Sequence, residues 1–194
     1  DLAPRLAHPD LAKADAAGLV AAFRHPNRTV RFNALRVLVE RADTAGLAAV
    51  PALRTMALGE AFAPARIQAL WALQRLGKLD ADLFAAALRA NEPAVRKNAL
   101  LIAESARRPL TAAEVTAALD DRDERVRLTA LRAMAAAPGS AEATAVLLAR
   151  QGKLEDPWSR AAAAAAAAAN PGLLLEQVLA KGEGQEEFAR SLAA

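Results

Sequence analysis

Glu92-Pro93-Ala94-Val95-Arg96-Lys97-Asn98-Ala99-Leu100 decides the fold, because the chain repeats it in Asp123-Glu124-Arg125-Val126-Arg127-Leu128-Thr129-Ala130-Leu131 and anticipates it in Asn27-Arg28-Thr29-Val30-Arg31-Phe32-Asn33-Ala34-Leu35. The arginine at its centre stands at Arg31, Arg66, Arg96, Arg127 and Arg160, with separations of 35, 30, 31 and 33 residues. A period of that size marks stacked helical hairpins. Four of these arginines are followed by Ala-Leu, at Ala34-Leu35, Ala69-Leu70, Ala99-Leu100 and Ala130-Leu131.

Composition agrees with helices. Of 194 residues, 54% are apolar but only 4% aromatic, so alanine and leucine must supply the core. These residues, with arginine and glutamate, head the helix-propensity scale, and strand content should be near zero. Twenty-five cations face twenty-two carboxylates for a net charge of +3, a weakly positive surface rather than a field on the nucleic-acid scale. The absence of cysteine excludes disulfides, thiolate catalysis and cysteine metal sites, and leaves the compartment open. The longest uncharged run, Ala161 to Leu175, is interrupted by Asn170-Pro171-Gly172 and is too short to span a bilayer, so no membrane insertion is expected. Opening at Asp1, without a charged stretch leading into an apolar one, the chain reads as a processed protein or an excised domain.

Each repeat divides into a helix A, a tight turn and a helix B that carries the marker arginine. Helix A is predicted over Asp15–Arg24, Thr44–Leu58, Asp80–Ala90, Thr111–Asp120, Ser140–Gln151 and Gly172–Lys181. Asp15, Thr44, Asp80, Thr111 and Ser140 offer side-chain oxygens to the free amides of the first turn, and Thr111 with Glu114 forms a capping box. Helix B is predicted over Asn27–Arg41, Pro64–Gly77, Pro93–Arg107, Asp123–Ala137 and Pro157–Ala169. Glu92-Pro93 and Asp156-Pro157 set an acid at the cap and proline at the first helical position, while Gly77, Pro138-Gly139 and Asn170-Pro171-Gly172 end helices. The expected organisation is one repeat domain over 1–194: a partial or capping repeat over 1–14, repeats at about 15–42, 44–77, 80–108, 111–138 and 140–170, and capping helices over 172–194, including a short helix from Gln185 to Leu192.

The pattern resembles HEAT repeats, in particular the short HEAT-like repeats first named from phycobilisome (PBS) lyases. The three nonapeptides carry the resemblance, which covers roughly residues 15 to 181. The second copy departs from it, with Phe62-Ala63-Pro64-Ala65 in place of the acidic cap and valine; the fifth keeps Asp156-Pro157 and Arg160 but replaces the apolar face with Ala161 to Ala169. The resemblance implies an all-α, right-handed α-solenoid of about five helical hairpins. A narrower likeness lies in Ile67-Gln68-Ala69-Leu70-Trp71-Ala72-Leu73-Gln74-Arg75-Leu76-Gly77-Lys78-Leu79-Asp80 with Glu155-Asp156-Pro157-Trp158. It is similar to the HEAT segment of large secreted proteins of planctomycetes and verrucomicrobia, where that segment links a sugar-dehydrogenase-like β-propeller to a haem-binding cytochrome c domain. This membrane-bound-dehydrogenase type of resemblance implies at most the linking module, with a periplasmic or secreted location; otherwise the location would be cytoplasmic. No Cys-x-x-Cys-His stands in this chain, so that chemistry and its haem cofactor are carried onto no residue.

The five marker arginines are read as structural. A cation in the first turn of a helix opposes the dipole, so its guanidinium should leave for the acidic caps or for the carbonyls that end a neighbouring helix A. A phosphate-binding stripe would need them in solvent. Counting two, five and nine residues on from each marker gives one face of helix B. It reads Asn33/Arg36/Glu40, Gln68/Trp71/Arg75, Asn98/Leu101/Ser105, Thr129/Arg132/Ala136 and Ala162/Ala165/Ala169. Mainly polar, this face is expected in solvent, and in HEAT-like solenoids helix B lines the concave, docking side. The candidate interaction surface is therefore Arg36, Gln68, Trp71, Arg75, Leu101 and Arg132.

Trp71 on this face has two readings, an interface anchor or a residue that leans on an adjacent helix B and closes the core, the commoner fate of tryptophan. Trp158, directly after Pro157, is expected to pack between the fourth and fifth repeats. The alanine run makes either a closely packed helix or a flat surface that another domain covers, and the second reading is preferred. Arg24, His25, Arg28, Arg31, Arg36 and Arg41, opposed only by Glu40, form the best basic patch. HEAT-like DNA glycosylases bind duplex DNA on such a surface, but the low net charge and Asp120, Asp121, Asp123 and Glu124 in the equivalent later turn weigh against nucleic acid. His8 and His25, the only histidines, each stand beside proline without a second ligand at metal spacing, and no glycine-rich phosphate loop or nucleophile motif is present. The expectation is a protein that is not an enzyme, needs no cofactor or metal, and acts as a scaffold or spacer binding a protein or a neighbouring domain of the same chain. The alternatives are a HEAT-like nucleic-acid-binding protein or DNA glycosylase, and a lyase-type partner of a pigment protein.

Overall fold

The computed structural model describes residues 9–137, 139–150, 154, 156–173 and 176, and every structural statement below concerns these. They are helical throughout, with no strand among them. The helices are α1 (Ala16–Ala21), α2 (Arg28–Glu40), α3 (Leu47–Gly59), α4 (Ala63–Arg75), α5 (Ala81–Leu88), α6 (Pro93–Ala106), α7 (Ala112–Leu119), α8 (Glu124–Ala136), α9 (Ala141–Arg150) and α10 (Pro157–Ala168). The predicted helix from Gln185 to Leu192, His8, Pro138 and Glu155 lie outside the described residues. Two compact units form, Asp1–Val95 and Arg96–Ala194.

Most helix starts follow from side-chain oxygens. Asp15, Asn27, Asp80, Asp123 and Asp156 accept first-turn amides of α1, α2, α5, α8 and α10. Thr111 and Glu114 make the reciprocal capping box of α7, and Ser140 Oγ accepts the Ala143 amide at 3.3 Å. Thr44 does not cap its helix. The chain leaves α2 through a π-helical turn, Ala42–Gly46, that runs straight into α3, and the Thr44 hydroxyl donates back to the Arg41 carbonyl at 3.3 Å. Gly46 makes this join possible: a Cβ there would stand 3.0 Å from the Leu38 carbonyl oxygen and 2.9 Å from Leu76 Cδ2. At the end of α4, Gly77 takes φ +66° while the Lys78 amide donates to the Leu73 carbonyl and the Gly77 amide to that of Gln74. That pair of bonds is the glycine-terminated Schellman stop that Gly77 promises in the sequence.

Within Asp1–Val95, α3 packs against α1, α4 and α5, and α2 packs against α1 and α4. Within Arg96–Ala194, α7 packs against α8 and α9, and α10 against α8 and α9. The first core is built on Leu19, Phe23, Leu38, Leu53, Leu70, Leu73 and Phe84, and the second on Leu100, Ile102, Leu131 and Leu147, all fully enclosed. The alanine run is not simply a flat surface awaiting cover. Ala163, Ala166 and Ala167 are buried on one side of α10, which packs against α8, and small side chains permit that close approach; Ala161, Ala165 and Ala168 on the other side are exposed.

The marker arginines tie turns together. Arg31 Nη1 donates to the carbonyls of His25 at 2.7 Å and Pro26 at 2.8 Å, and Arg127 Nη1 to those of Asp121 at 2.9 Å and Arg122 at 3.3 Å. Arg160 reaches the Leu154 carbonyl at 3.4 Å, so these copies grip the carbonyl six residues back and close the turn between helices A and B. Arg66 and Arg96 reach onward to an acid of a later turn. Arg66 holds Glu92 at 2.9 Å besides the Ala57 carbonyl that ends α3, and Arg96 holds Asp121 through two bonds. In the first, second and fourth copies the residue two before the B-helix cap also closes its turn: His25 Nδ1 accepts the Asn27 amide, Glu60 that of Phe62, and Asp121 that of Asp123. Phe62 itself gives α4 no side-chain cap, so Glu60 closes the turn of the second copy without replacing the acidic cap.

Candidate interaction surface

Helices α2 and α4 lie side by side, and the channel between their outer faces is an open groove of about 540 Å³. Asn33 and Arg36 come to it from α2, and Gln68, Trp71 and Arg75 from α4. Helical geometry explains the meeting, since residues three to four apart on each helix share a face and both helices present the same face to the same side. Four of the six predicted surface residues, Arg36, Gln68, Trp71 and Arg75, thus line one groove in Asp1–Val95. Leu101 and Arg132 belong to Arg96–Ala194, on α6 and α8, where Arg132 Nη2 donates to Glu104 Oε1 at 2.7 Å.

The groove is more apolar than the stripe of polar residues implies. Phe32, Leu35 and Ile67 line it as well. None of these was singled out in the sequence, although Phe32 and Ile67 each follow a marker arginine directly and stand four residues before Arg36 and Trp71. An apolar residue at that offset in the first two copies, against Lys97 in the third, was the available signal. Gln68 is 5% exposed and Thr129 equally buried, so in the second and fourth copies the second residue after the marker turns inward, whereas Asn33 in the first is exposed. Thr129 satisfies its hydroxyl on the Arg125 carbonyl at 2.6 Å. Trp71 is half-buried, between the two readings its sequence context allows.

The charged groups near the groove differ in what they hold. Arg36 pairs with Glu40 one turn on, at 2.5 Å. The Arg28 guanidinium lies over the Phe32 ring, 4.9 Å from its centroid. Arg75 is exposed and makes no ion pair among the described residues.

The basic patch at the first turn is not opposed by Glu40 alone. Arg24 binds Glu60 at 2.5 Å, Arg31 is spent on carbonyls and on the Phe62 ring, and Arg41 donates to the carbonyls of Ala12 and Ala14. Local partners therefore hold most of the cluster, which leaves no continuous cationic stripe for a phosphate backbone. Trp158 is not packed between repeats: it is 78% exposed at the second position of α10, beside the exposed Pro157 and Arg160, while Ser159 of the same turn is buried and gives its amide to the Asp156 cap at 2.8 Å. Among the described residues no group of histidines or carboxylates could hold a metal ion, and no helix is long and apolar enough to cross a membrane.

Among the described residues, fold and surface define an all-helical protein with a partly aromatic groove on Asp1–Val95. Compared with known proteins, the chain matches no family model, and no curated sequence is significantly similar to it.

Proposed function

We propose that the protein is a non-catalytic helical-repeat module, a right-handed solenoid of HEAT-like hairpins, that docks a protein segment or a neighbouring domain in the groove between α2 and α4. The packing pattern supports the repeat reading: α1, α3 and α5 contact in succession, as do α7 and α9, while α2 meets α4 and α8 meets α10. Such nearest-neighbour stacking of like helices is how solenoids bury their cores.

The observation that carries the docking reading is Trp71, half-buried in an open groove where it meets the apolar Phe32, Leu35 and Ile67 among polar and cationic neighbours. Partly exposed aromatic side chains in a pocket are where binding free energy concentrates, and the groove between two neighbouring helices makes a seat for an amphipathic helix. The volume falls within the range of real binding clefts. Panning a dodecapeptide display library on the protein, with counter-selection on Trp71→Ala, tests the reading. Sequences that bind the parent and not the variant are expected, with far-ultraviolet circular dichroism showing that Trp71→Ala is folded and Ile67→Gln as a second, milder variant. If every enriched sequence bound the parent and both variants alike, the groove would be the wrong surface.

A further inference from the structure

We infer that the segment this groove takes is acidic: an amphipathic helix whose leucine or phenylalanine side chains enter between α2 and α4 while aspartate or glutamate side chains meet Arg75 and Arg28. The inference rests on the docking reading above and adds the charge of the partner. Its ground is the charge of the groove's own lining, which includes Arg36 and Arg75 and no carboxylate. Glu40, outside the lining, is held by Arg36, whereas Arg28 rests on the Phe32 ring and Arg75 projects from the groove wall without an ion pair among the described residues.

Arg75 on the groove wall and Arg28 over the Phe32 ring thus stand beside the apolar floor to which Phe32, Leu35 and Ile67 contribute. A basic or neutral helix could fill that floor, but it would set lysine against arginine or leave both cations idle. An acidic one gains two charge-assisted contacts and a faster encounter. Single-stranded nucleic acid would also find arginine and aromatic groups here, yet Leu35 and Ile67 give it aliphatic walls where it needs open stacking faces.

The test uses fluorescence of the whole chain carrying Trp158→Phe, which leaves Trp71 as the only tryptophan in a protein without tyrosine. Three capped helical dodecapeptides share one Leu/Phe stripe and differ only in having glutamate, glutamine or lysine on the polar face; an oligothymidylate is the fourth ligand. The glutamate peptide is expected to shift Trp71 emission and to bind about tenfold more tightly than the glutamine peptide at low salt, with the advantage shrinking as salt is added. Arg75→Glu should reverse the order of the glutamate and lysine peptides. Equal affinities for the glutamate and glutamine peptides, or an order untouched by Arg75→Glu, overturns the acidic assignment and leaves docking in the groove standing. If no peptide moves Trp71 emission, or only the oligothymidylate does, both fall.

Discussion

Arg96 holds Asp121 through both oxygens of its carboxylate, Nε to Oδ2 at 2.5 Å and Nη2 to Oδ1 at 2.7 Å, and both side chains are mostly enclosed, 16% and 6% exposed. The same carboxylate accepts the Asp123 amide at 2.9 Å, and the Asp121 carbonyl accepts Arg127. One aspartate thus joins α6, the turn before α8 and the next marker arginine. Planar bidentate pairing suits arginine and not lysine. Removing one partner leaves the other charge enclosed and unpaired, which costs several kcal/mol in buried pairs and somewhat less where water still reaches the edge. Arg96→Ala is expected to destabilise the protein by about 2–3 kcal/mol, and Arg96→Lys to restore less than half of that. Urea unfolding followed by circular dichroism measures both; a loss within about 0.5 kcal/mol would reduce the pair to an ordinary surface contact.

Acid should unfold Arg96–Ala194 through a small group of carboxylates. Burial works against ionisation of Asp121, but bonds from Arg96 and the Asp123 amide outweigh it and hold its carboxyl below the usual range. Glu114 is lowered in the same way, its burial being overcome by Arg108 and the Thr111 amide. Asp123, bonded first by the Arg125 side chain and also by the Arg125 amide, is brought down to about 2. Because these values are lower in the folded than in the unfolded chain, their contribution is complete above the unfolded range of about 4 and is lost as pH falls through the folded values. The urea midpoint should therefore be flat from neutral pH to about 5 and fall between about 4 and 2. Asp123→Asn should flatten the lower part of that fall. A midpoint that drops between neutral pH and about 5 instead would exclude these carboxylates as the cause.

Two helix ends use the same stop with different residues. At Gly77 the left-handed position is filled by glycine, whereas after α6 it is filled by Arg107 at φ +49°, with the Arg108 amide on the Ala103 carbonyl at 2.9 Å and the Arg107 amide on that of Glu104 at 3.2 Å. A side chain in this conformation costs about 1–2 kcal/mol, of which the greater freedom of unfolded glycine would return part. Arg107→Gly is expected to stabilise the protein by about 0.5–1 kcal/mol, and Gly77→Ala to destabilise it by about 1 kcal/mol although nothing crowds the site. Thermal melts of the two variants should move in opposite directions.

The helices were legible in the sequence because their signals are local. Asp15, Asn27, Asp80, Asp123 and Asp156 each sit one residue before a helix and bond within three residues, so order along the chain suffices to read them. Thr44 misled because the same side chain type also serves inside a π-helical turn, where Gly46 and its contact with Leu76 decide the path. The groove was half legible: a helical count of two, five and nine found Gln68, Trp71 and Arg75 but took polarity for exposure. Whether Gln68 is open depends on how closely α2 approaches α4, a tertiary distance that composition does not encode. The pairing of Arg24 with Glu60, 36 positions apart in the chain, was invisible for the same reason.

Trp158 gives the clearest contrast between a frequency and a position. Tryptophan is usually largely covered, which is why packing was expected, but the residue after a helix-opening proline projects from the first turn, and here 78% of it meets solvent. Substitutions at such sites are usually within about 0.5 kcal/mol of neutral, so Trp158→Ala should leave the urea midpoint nearly unchanged. Trp71→Ala, at a half-buried site against Phe32 and Ile67, should cost about 2 kcal/mol. Acrylamide should quench Trp158 emission, read in Trp71→Phe, several-fold more strongly than Trp71 emission, read in Trp158→Phe. Equal quenching of the two, or a loss above about 2 kcal/mol from Trp158→Ala, would mean that α10 is covered at its first turn and that the packing expected from the sequence exists in solution.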